Sequence, residues 1–194
     1  MSHVSIVSDN PAVQAVLEIY RPLDKVSGML QEKHQAFLQC KAGCDDCCRD
    51  GFRIRWAEAV MLMAGLSQLA PEDLVTIQEN LKNKLEPGSP GSCPLLINHQ
   101  CSVYAFRPAL CRAYGILVDV NGTVATCHLN YRDLDPQNYP QEILTLAPYY
   151  EALEALSQVL WQASPASSDG GADPPFTTIR ELLLSMDKAW NSVS

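Results

Sequence analysis

Apolar residues recur at helical spacing near the start of the chain. Asp9-Asn10-Pro11 places a capping side chain ahead of a proline, which predicts a helix that runs to about Tyr20. Arg21-Pro22 is expected to end this helix, because an interior proline removes a backbone hydrogen bond. Residues 23–39 again show apolar positions at helical spacing, and this pattern predicts a second helix.

Further helices follow from the same kind of pattern. Residues 56–69 are strongly apolar and predict a helix that is buried on most sides. Pro71-Glu72-Asp73 predicts the start of another helix, to about Leu85, because acidic side chains favour the positive end of the helix dipole. Residues 145–163 are also predicted as helical. Thr178-x-x-Glu181 has the pattern of a capping box and predicts the start of the last helix.

The region between these helices reads as short strands and turns. Residues 116–120 and 123–127 are strand-like runs on either side of Asn121-Gly122. This dipeptide predicts a hairpin with a type I′ turn, because both central residues of that turn need a positive φ. Residues 94–104 are expected to form a second hairpin, with its turn at residues 98–100.

The predicted fold is therefore mainly α with minor β, with helices packed around an irregular, cysteine-rich segment that carries one or two short β-hairpins. The chain has 194 residues, of which 47% are hydrophobic and 19% are charged, and these values suit one domain with its own core. We expect a single domain at residues 1–163, with the cysteine-rich, metal-binding segment at 40–128. A flexible linker at 164–175 and a C-terminal helix at 176–194 are expected to follow.

The charge balance argues against some classes of partner. The chain carries 22 acidic and 14 basic residues, which gives a formal net charge of −8. Nucleic acids and anionic membranes both favour clustered Lys and Arg, so we expect neither as a partner. No secretory signal pattern opens the chain, and no run approaches the roughly 18 apolar residues that a membrane-spanning helix needs. We therefore expect a cytoplasmic protein.

Eight cysteines have a different meaning in that compartment than in a small secreted protein. Cytoplasmic thiols stay reduced, so the eight residues point to metal or redox chemistry before they point to a disulfide framework. The first four, Cys40, Cys44, Cys47 and Cys48, lie within nine residues, and Gly43 gives the backbone freedom to turn there. An alternative is a small apolar stripe on a helix, but Gly43-Cys44-Asp45-Asp46 is a poor helix sequence.

The second four cysteines are Cys93, Cys101, Cys111 and Cys127, and the predicted hairpins bring them together in pairs. Counting back from the Asn121-Gly122 turn places Cys127 opposite Ile116, five residues after Cys111. The other hairpin is expected to bring Cys93 close to Cys101. All eight cysteines are therefore candidate metal ligands.

These cysteines form a recognisable pattern. CxxxCxxCC at residues 40–48, Cys93-Pro94, and CxxYxxRPxxCR at residues 101–112 resemble the YkgJ-like cysteine-cluster family. The resemblance covers residues 40 to about 127, including the helix start at Trp56-Ala57-Glu58. It implies zinc or iron chelation, and members of that family are sometimes labelled iron–sulfur oxidoreductases. Cys127 lies beyond this pattern and rests on the hairpin geometry.

The sequence leaves the metal open. Two Cys₄ zinc sites would use all eight thiolates, whereas one iron–sulfur cluster would need about four. The spacing Cys40-x₃-Cys44-x₂-Cys47 is compatible with a 4Fe–4S cluster and resembles that of radical-SAM enzymes, but this mostly helical chain lacks their barrel domain. Arg107 and Arg112 flank Cys111 and are candidates for hydrogen bonding to cluster sulfurs; alternatively, Arg107 is a surface residue. His99 and His128 are alternative ligands.

Three functions are compatible with this reading. The first is a metal-binding protein for electron transfer or metal handling, with a protein redox or assembly partner. The second is an enzyme, an iron–sulfur oxidoreductase or a modifying enzyme. The absence of a Gly-rich nucleotide loop, a nucleophile elbow, an HExxH pattern and an acid pair with an evident partner argues against an enzyme, but the sequence leaves this question open. The third is a structural zinc module for protein interaction.

Overall fold

Six α-helices and seven short strands make up the fold that the computed structural model describes. It covers residues 10–191 except 42, 50, 83–88, 90, 121, 135–137, 139, 141, 165–173 and 175. The helices are α1 (Pro11–Lys33), α2 (Trp56–Leu66), α3 (Pro71–Lys82), α4 (Ala109–Ala113), α5 (Ala147–Gln162) and α6 (Ile179–Asn191). The strands are β1 (Arg53–Ile54), β2 (Leu96–Ile97), β3 (Gln100–Cys101), β4 (Val118–Val120), β5 (Thr123–Ala125), β6 (Leu144–Thr145) and β7 (Thr177–Thr178). This architecture confirms the predicted class, mainly α with minor β.

The first helix is longer than predicted. Asn10 caps α1 by accepting a hydrogen bond from the Ala12 N–H at 2.9 Å, as its position before Pro11 indicates. The helix then continues through Pro22 to Lys33, so the predicted break at Arg21-Pro22 is wrong. The buried residues of α1 lie on both sides of this proline and belong to one face. Their burial outweighs the roughly 3 kcal/mol that an interior proline costs. Those buried residues are Val13, Val16, Tyr20, Leu23 and Ser27.

Replacing Pro22 with alanine is therefore expected to stabilise the protein. Pro22 is exposed and lies inside α1, and alanine would restore one backbone N–H donor without removing a buried side chain. We expect the free energy of unfolding to rise by about 1–3 kcal/mol, measured by urea denaturation. Lys25→Ala, at an exposed position of the same helix, is the control and should change it by less than about 0.5 kcal/mol. An unchanged or less stable Pro22→Ala protein would contradict this account.

One hydrophobic cluster joins α1, α2, α4 and α5. It includes Val16 of α1, Met61 of α2, Ala113 of α4 and Leu153 of α5. Strand β4 lies against this cluster and is paired on both sides, antiparallel with β5 and parallel with β6. The parallel β4–β6 pairing was not predicted. None of the described helices is long and apolar enough to cross a membrane.

A second hydrophobic cluster joins α2, α3 and α6. Leu62, Ile77, Ile179 and Leu183 are among its buried residues. Strands β1 and β7 pair antiparallel beside it, although their sequences gave no sign of this. The predicted linker at 164–175 lies outside the described residues except for positions 164 and 174.

The predicted capping box at the start of α6 is confirmed. The Thr178 N–H donates to Glu181 Oε2 at 2.8 Å, and the Glu181 N–H donates to Thr178 Oγ1 at 3.1 Å. These two bonds satisfy donors that the first turn of a helix would otherwise leave without partners. The start of α6 is therefore fixed beside β7.

Both predicted hairpins form. In the β4–β5 hairpin Val120 pairs with Thr123, which is the predicted register, and Gly122 has a φ of +80°. Asn121 lies outside the described residues. In the β2–β3 hairpin Ile97 pairs with Gln100, so the turn has two residues and not the three that were predicted. Asn98 and His99 form that turn with φ values of 51° and 60°, as a type I′ turn requires.

Candidate metal centre

The first cysteine run folds as a series of tight turns. The Cys44 N–H donates to the Lys41 carbonyl at 3.1 Å, and the Cys48 N–H donates to the Asp45 carbonyl at 2.8 Å. Gly43 has a φ of +81°, which glycine adopts without strain. The alternative of a helical apolar stripe is therefore wrong for the described part of this run. The Cys93 N–H donates to the Cys48 carbonyl at 3.2 Å and thereby connects the two cysteine groups.

One cavity collects all eight cysteines. Its volume is about 1050 Å³, and every one of the eight residues lines it as a free thiol. Cys93 and Cys127 are buried, Cys40 is exposed, and the remaining five are half-buried. The structure thus brings together thiols from positions 40 to 127. Which of them bind metal directly remains a prediction.

A buried carboxylate connects the helix that carries Cys111 to the rest of the fold. Glu58 is only 2% exposed. Its Oε2 accepts from the Arg55 N–H at the start of α2, and its Oε1 accepts from the Ala109 N–H at the start of α4, both at 2.9 Å. Because Cys111 follows two residues after Ala109, Glu58 fixes the helix start that positions this thiol. The sequence around Glu58 indicates only a helix start and no contact with α4.

Proximity and burial oppose simultaneous ionisation of the thiols. Burial raises the pKa of Cys101, Cys111 and Cys127, and neighbouring thiolates raise it further. The hydrogen bond between Cys47 and Cys48 lowers the pKa of Cys47 to about 7 and raises that of Cys48. A bound cation would offset this accumulated negative charge, since metal binding favours the thiolate form.

The two arginines predicted near the cofactor differ in their surroundings. Arg107 donates from Nη1 to the Cys111 carbonyl at 3.1 Å, and its charge lowers the pKa of nearby thiols, Cys47 among them. Arg112 is 9% exposed and donates from Nη1 to Asp24 Oδ2 at 2.6 Å. Its Nε donates to the Arg107 carbonyl at 2.8 Å. Arg112 therefore ties α1 to the loop before α4, and Arg107 is the better placed to favour thiolates.

Asn130 supports Cys40 and was missed by the sequence analysis. This buried side chain donates from Nδ2 to the Gly115 carbonyl at 2.6 Å and to Cys40 Sγ at 3.4 Å. Its Oδ1 accepts from the Gln39 N–H at 2.7 Å. A Cβ at Gly115 would lie 3.0 Å from Cys40 Sγ, closer than ordinary van der Waals contact, and Gly115 has a φ of +107°, which glycine adopts without strain. No local sequence signal distinguishes Asn130, because its partners are distant in the chain.

Replacing Asn130 with aspartate is expected to free the Cys40 thiol from its support. A carboxylate keeps the acceptor for Gln39 but donates to neither Gly115 nor Cys40. We expect a stability loss of about 1–3 kcal/mol and faster reaction of Cys40 with a thiol reagent, followed by peptide mass spectrometry. Asn80→Asp is the matched control, because Asn80 Nδ2 also donates to two acceptors, the Pro94 and Leu96 carbonyls, but to no thiol. Equal Cys40 reactivity in the two variants would contradict the role given to Asn130.

The predicted alternative ligands His99 and His128 each lie beside an aspartate. His99 Nδ1 is 2.9 Å from Asp45 Oδ2, and His128 Nδ1 is 3.1 Å from Asp46 Oδ2. Cys127 Sγ lies 3.8 Å from the same oxygen of Asp46. Among the described residues, one group of three potential ligands has all of its ligand atoms within 4.8 Å of one another. Its members are Asp46, Cys127 and His128.

Comparison with known proteins agrees with this chemistry. A family model described as CxxCxxCC, a putative zinc- or iron-chelating domain, matches residues 39–128. This range contains all eight cysteines of the cavity. No curated protein and no solved structure shows a significant match to the chain.

Proposed function

We propose that the cavity binds iron in a polynuclear, iron–sulfur type centre, since residues 39–128 match the model of a zinc- or iron-chelating domain. One observation carries the proposal: eight thiols from distant parts of the chain line a single cavity. Thiolates are soft ligands, and they are the residues that hold iron–sulfur clusters in proteins. The donor set therefore fits the group.

The spacing of the thiols supports a centre larger than one ion. A single zinc ion binds thiolate sulfurs at about 2.3 Å, which brings neighbouring sulfurs to about 3.8 Å from each other. Among the described residues no three thiols lie within 4.8 Å of one another. The sulfurs are instead distributed around a cavity of about 1050 Å³. Such a distribution suits a core in which inorganic sulfide bridges several irons.

The electrostatic interactions connect thiols of the first cysteine run with thiols of the second. They therefore do not follow the two groups of four that the sequence shows. Cys48 of the first run interacts with Cys93 and Cys101 of the second, and Cys111 interacts with Cys93, Cys101 and Cys47. These five residues are the proposed ligands. When bound, such a cluster supplies one-electron redox chemistry. The Arg107 guanidinium contributes by favouring the thiolate forms of Cys47, Cys101 and Cys111.

The exposure of the cavity supports a role in metal or cluster handling. Cys40 is exposed, and five further thiols are half-buried. An incoming ion or a partner protein can therefore reach sulfur ligands without unfolding the core. We include in the proposal a protein redox or assembly partner and a reducing location such as the cytoplasm, where the thiols remain free to bind metal.

Anaerobic purification of the full chain tests the proposal. We expect coloured protein that contains iron and acid-labile sulfide, with a Mössbauer spectrum typical of a cluster. Cys101→Ser should lower the iron content, whereas the neighbouring Ser102→Ala, which removes no cavity-lining donor, should leave it unchanged. Colourless protein that contains zinc alone would overturn the proposal in favour of a structural zinc module.

A further inference from the structure

Asp45 and Asp46 offer two carboxylates to two histidines, but only one of these pairs lies beside a thiol. His99 Nδ1 lies 2.9 Å from Asp45 Oδ2, and His128 Nδ1 lies 3.1 Å from Asp46 Oδ2. Cys127 Sγ joins the second pair at 3.8 Å from Asp46 Oδ2. The first pair belongs to no comparable group among the described residues.

We propose that Asp46, Cys127 and His128 bind one zinc ion in a separate site at the wall of the cavity. Zinc accepts carboxylate oxygen, imidazole nitrogen and thiolate sulfur, at bond lengths of about 2.0–2.3 Å. In a tetrahedral site these bonds place neighbouring ligand atoms about 3.3–3.8 Å apart. The observed 3.1 Å and 3.8 Å separations already lie close to that range.

The thiol of Cys127 joins the Asp46–His128 pair and completes a group of three potential ligands. Cys127 is only 4% exposed, and its Sγ faces the carboxylate that His128 contacts. The same contact allows the thiol to donate a hydrogen bond to Asp46 Oδ2, and a bound zinc ion would take the place of that proton, because the thiolate is the form that binds metal. Arg49 lies at the edge of this group, with Nη2 3.9 Å from Asp46 Oδ2.

The exposed fractions of two of the three side chains indicate that solvent can reach the site. The His128 side chain is 58% exposed and the Asp46 side chain 20% exposed, whereas Cys127 lines the cavity. Three protein ligands also leave a fourth position of zinc for water or another ligand, as in sites that exchange ligands. Cys127 is not among the five proposed cluster ligands, but it interacts with Cys40 and Cys47, so the iron content of the variants below decides whether the site is separate from the cluster.

Zinc and iron contents of the same anaerobically purified full-length samples test this site. His128→Gln and Asp46→Asn each remove one ligand; His99→Gln and Asp45→Asn are matched controls that break the other pair. After dialysis against limiting zinc, we expect about one zinc equivalent fewer, or at least about ten-fold weaker zinc binding, in the first two variants. The controls should match the wild type, and iron should be unchanged in all four variants.

The outcomes separate this site from the iron–sulfur proposal. A wild type without iron that still shows the His128-dependent zinc equivalent supports the site and removes only the iron–sulfur proposal. Full zinc retention in His128→Gln overturns the proposed zinc site. The contact between His128 and Asp46 is then only an ion pair. Equal zinc loss in His99→Gln also overturns it, because exposed histidines would then bind zinc without selection. Loss of iron together with zinc in His128→Gln assigns these residues to the cluster and overturns a separate site.

Discussion

Replacing Glu58 with alanine is expected to destabilise the native state by about 2–6 kcal/mol. The variant leaves the buried Ala109 N–H and the partly buried Arg55 N–H without their acceptor. Each buried donor that loses its partner costs about 1–3 kcal/mol. Urea denaturation measures the change. Glu154→Gln is the control, because Glu154 also lies near Arg55, at 3.3 Å, but its side chain is 40% exposed and its loss should cost less than about 1 kcal/mol.

The Glu58→Ala substitution should also weaken metal binding. The start of α4 loses its hydrogen bond to Glu58 of α2, so Cys111 loses one of the contacts that position it. We expect Glu58→Ala to bind less metal even at temperatures where circular dichroism shows that it is folded, whereas Glu154→Gln should bind the wild-type amount. A folded Glu58→Ala protein with full metal content would show that Cys111 is positioned by other contacts.

Glu58 also predicts a pH dependence of stability. Burial raises its pKa above the ordinary value of 4.5 in the folded state, against the opposing effect of the two N–H donors. A carboxyl whose folded pKa is raised contributes most stability below the unfolded pKa, and this contribution is lost as the pH rises through the folded pKa. Glu58→Gln does not titrate. The stability of the wild type relative to Glu58→Gln should therefore fall as the pH rises from about 4.5, measured by urea denaturation at successive pH values.

Removing bound metal is expected to release the cysteine loop and the β2–β3 hairpin before the long helices. Residues 43–49 form turns but no helix or strand, and metal–thiolate bonds would add to their order. Structural zinc contributes about 10–16 kcal/mol to the folding free energy of small zinc-finger peptides, and this range is the upper limit for the stabilisation expected here. By contrast, α1 and α5 pack on α2 through buried apolar residues that no metal touches.

Hydrogen exchange of metal-loaded and chelated protein measures this difference. Amides of residues 43–49 and 96–102 should lose protection, whereas those of α1 and α5 should retain it. Within the metal-binding segment, α4 and β4 should behave like the helices, because Ala109, Ala113 and Val118 lie in the first hydrophobic cluster. Equal loss of protection in α1 and in residues 43–49 would show that metal and core form one cooperative unit.

Local signals explain which parts of the fold could be predicted. Asn121-Gly122 set the register of one hairpin, and Thr178 with Glu181 set the start of α6. Pro22 misled the prediction because its local cost is visible in the sequence, whereas the buried face that outweighs it depends on helices elsewhere in the chain. The β1–β7 pairing joins strands more than a hundred residues apart and leaves no local pattern.

The candidate site likewise contains some residues that could be predicted from the sequence and others that could not. The cysteines were identifiable because thiols in such numbers indicate chemistry by their type alone. Glu58 and Asn130 were not assigned roles, because glutamate and asparagine are common and their partners became neighbours only on folding. Asp46 was also missed as a ligand, since its carboxylate meets Cys127 and His128 from the far end of the segment.

Ile179 lines the same cavity as the eight thiols, although it lies 52 residues beyond Cys127 in the chain. A ribosome adds roughly 5–20 residues per second, so Cys127 is made about 3–10 seconds before this part of the wall. During synthesis the sulfur atoms therefore exist without their apolar cover and are open to oxidants and stray ions. Maleimide labelling should be strong for ribosome-bound chains whose translation stops before residue 179 and weaker for the released chain that contains α6.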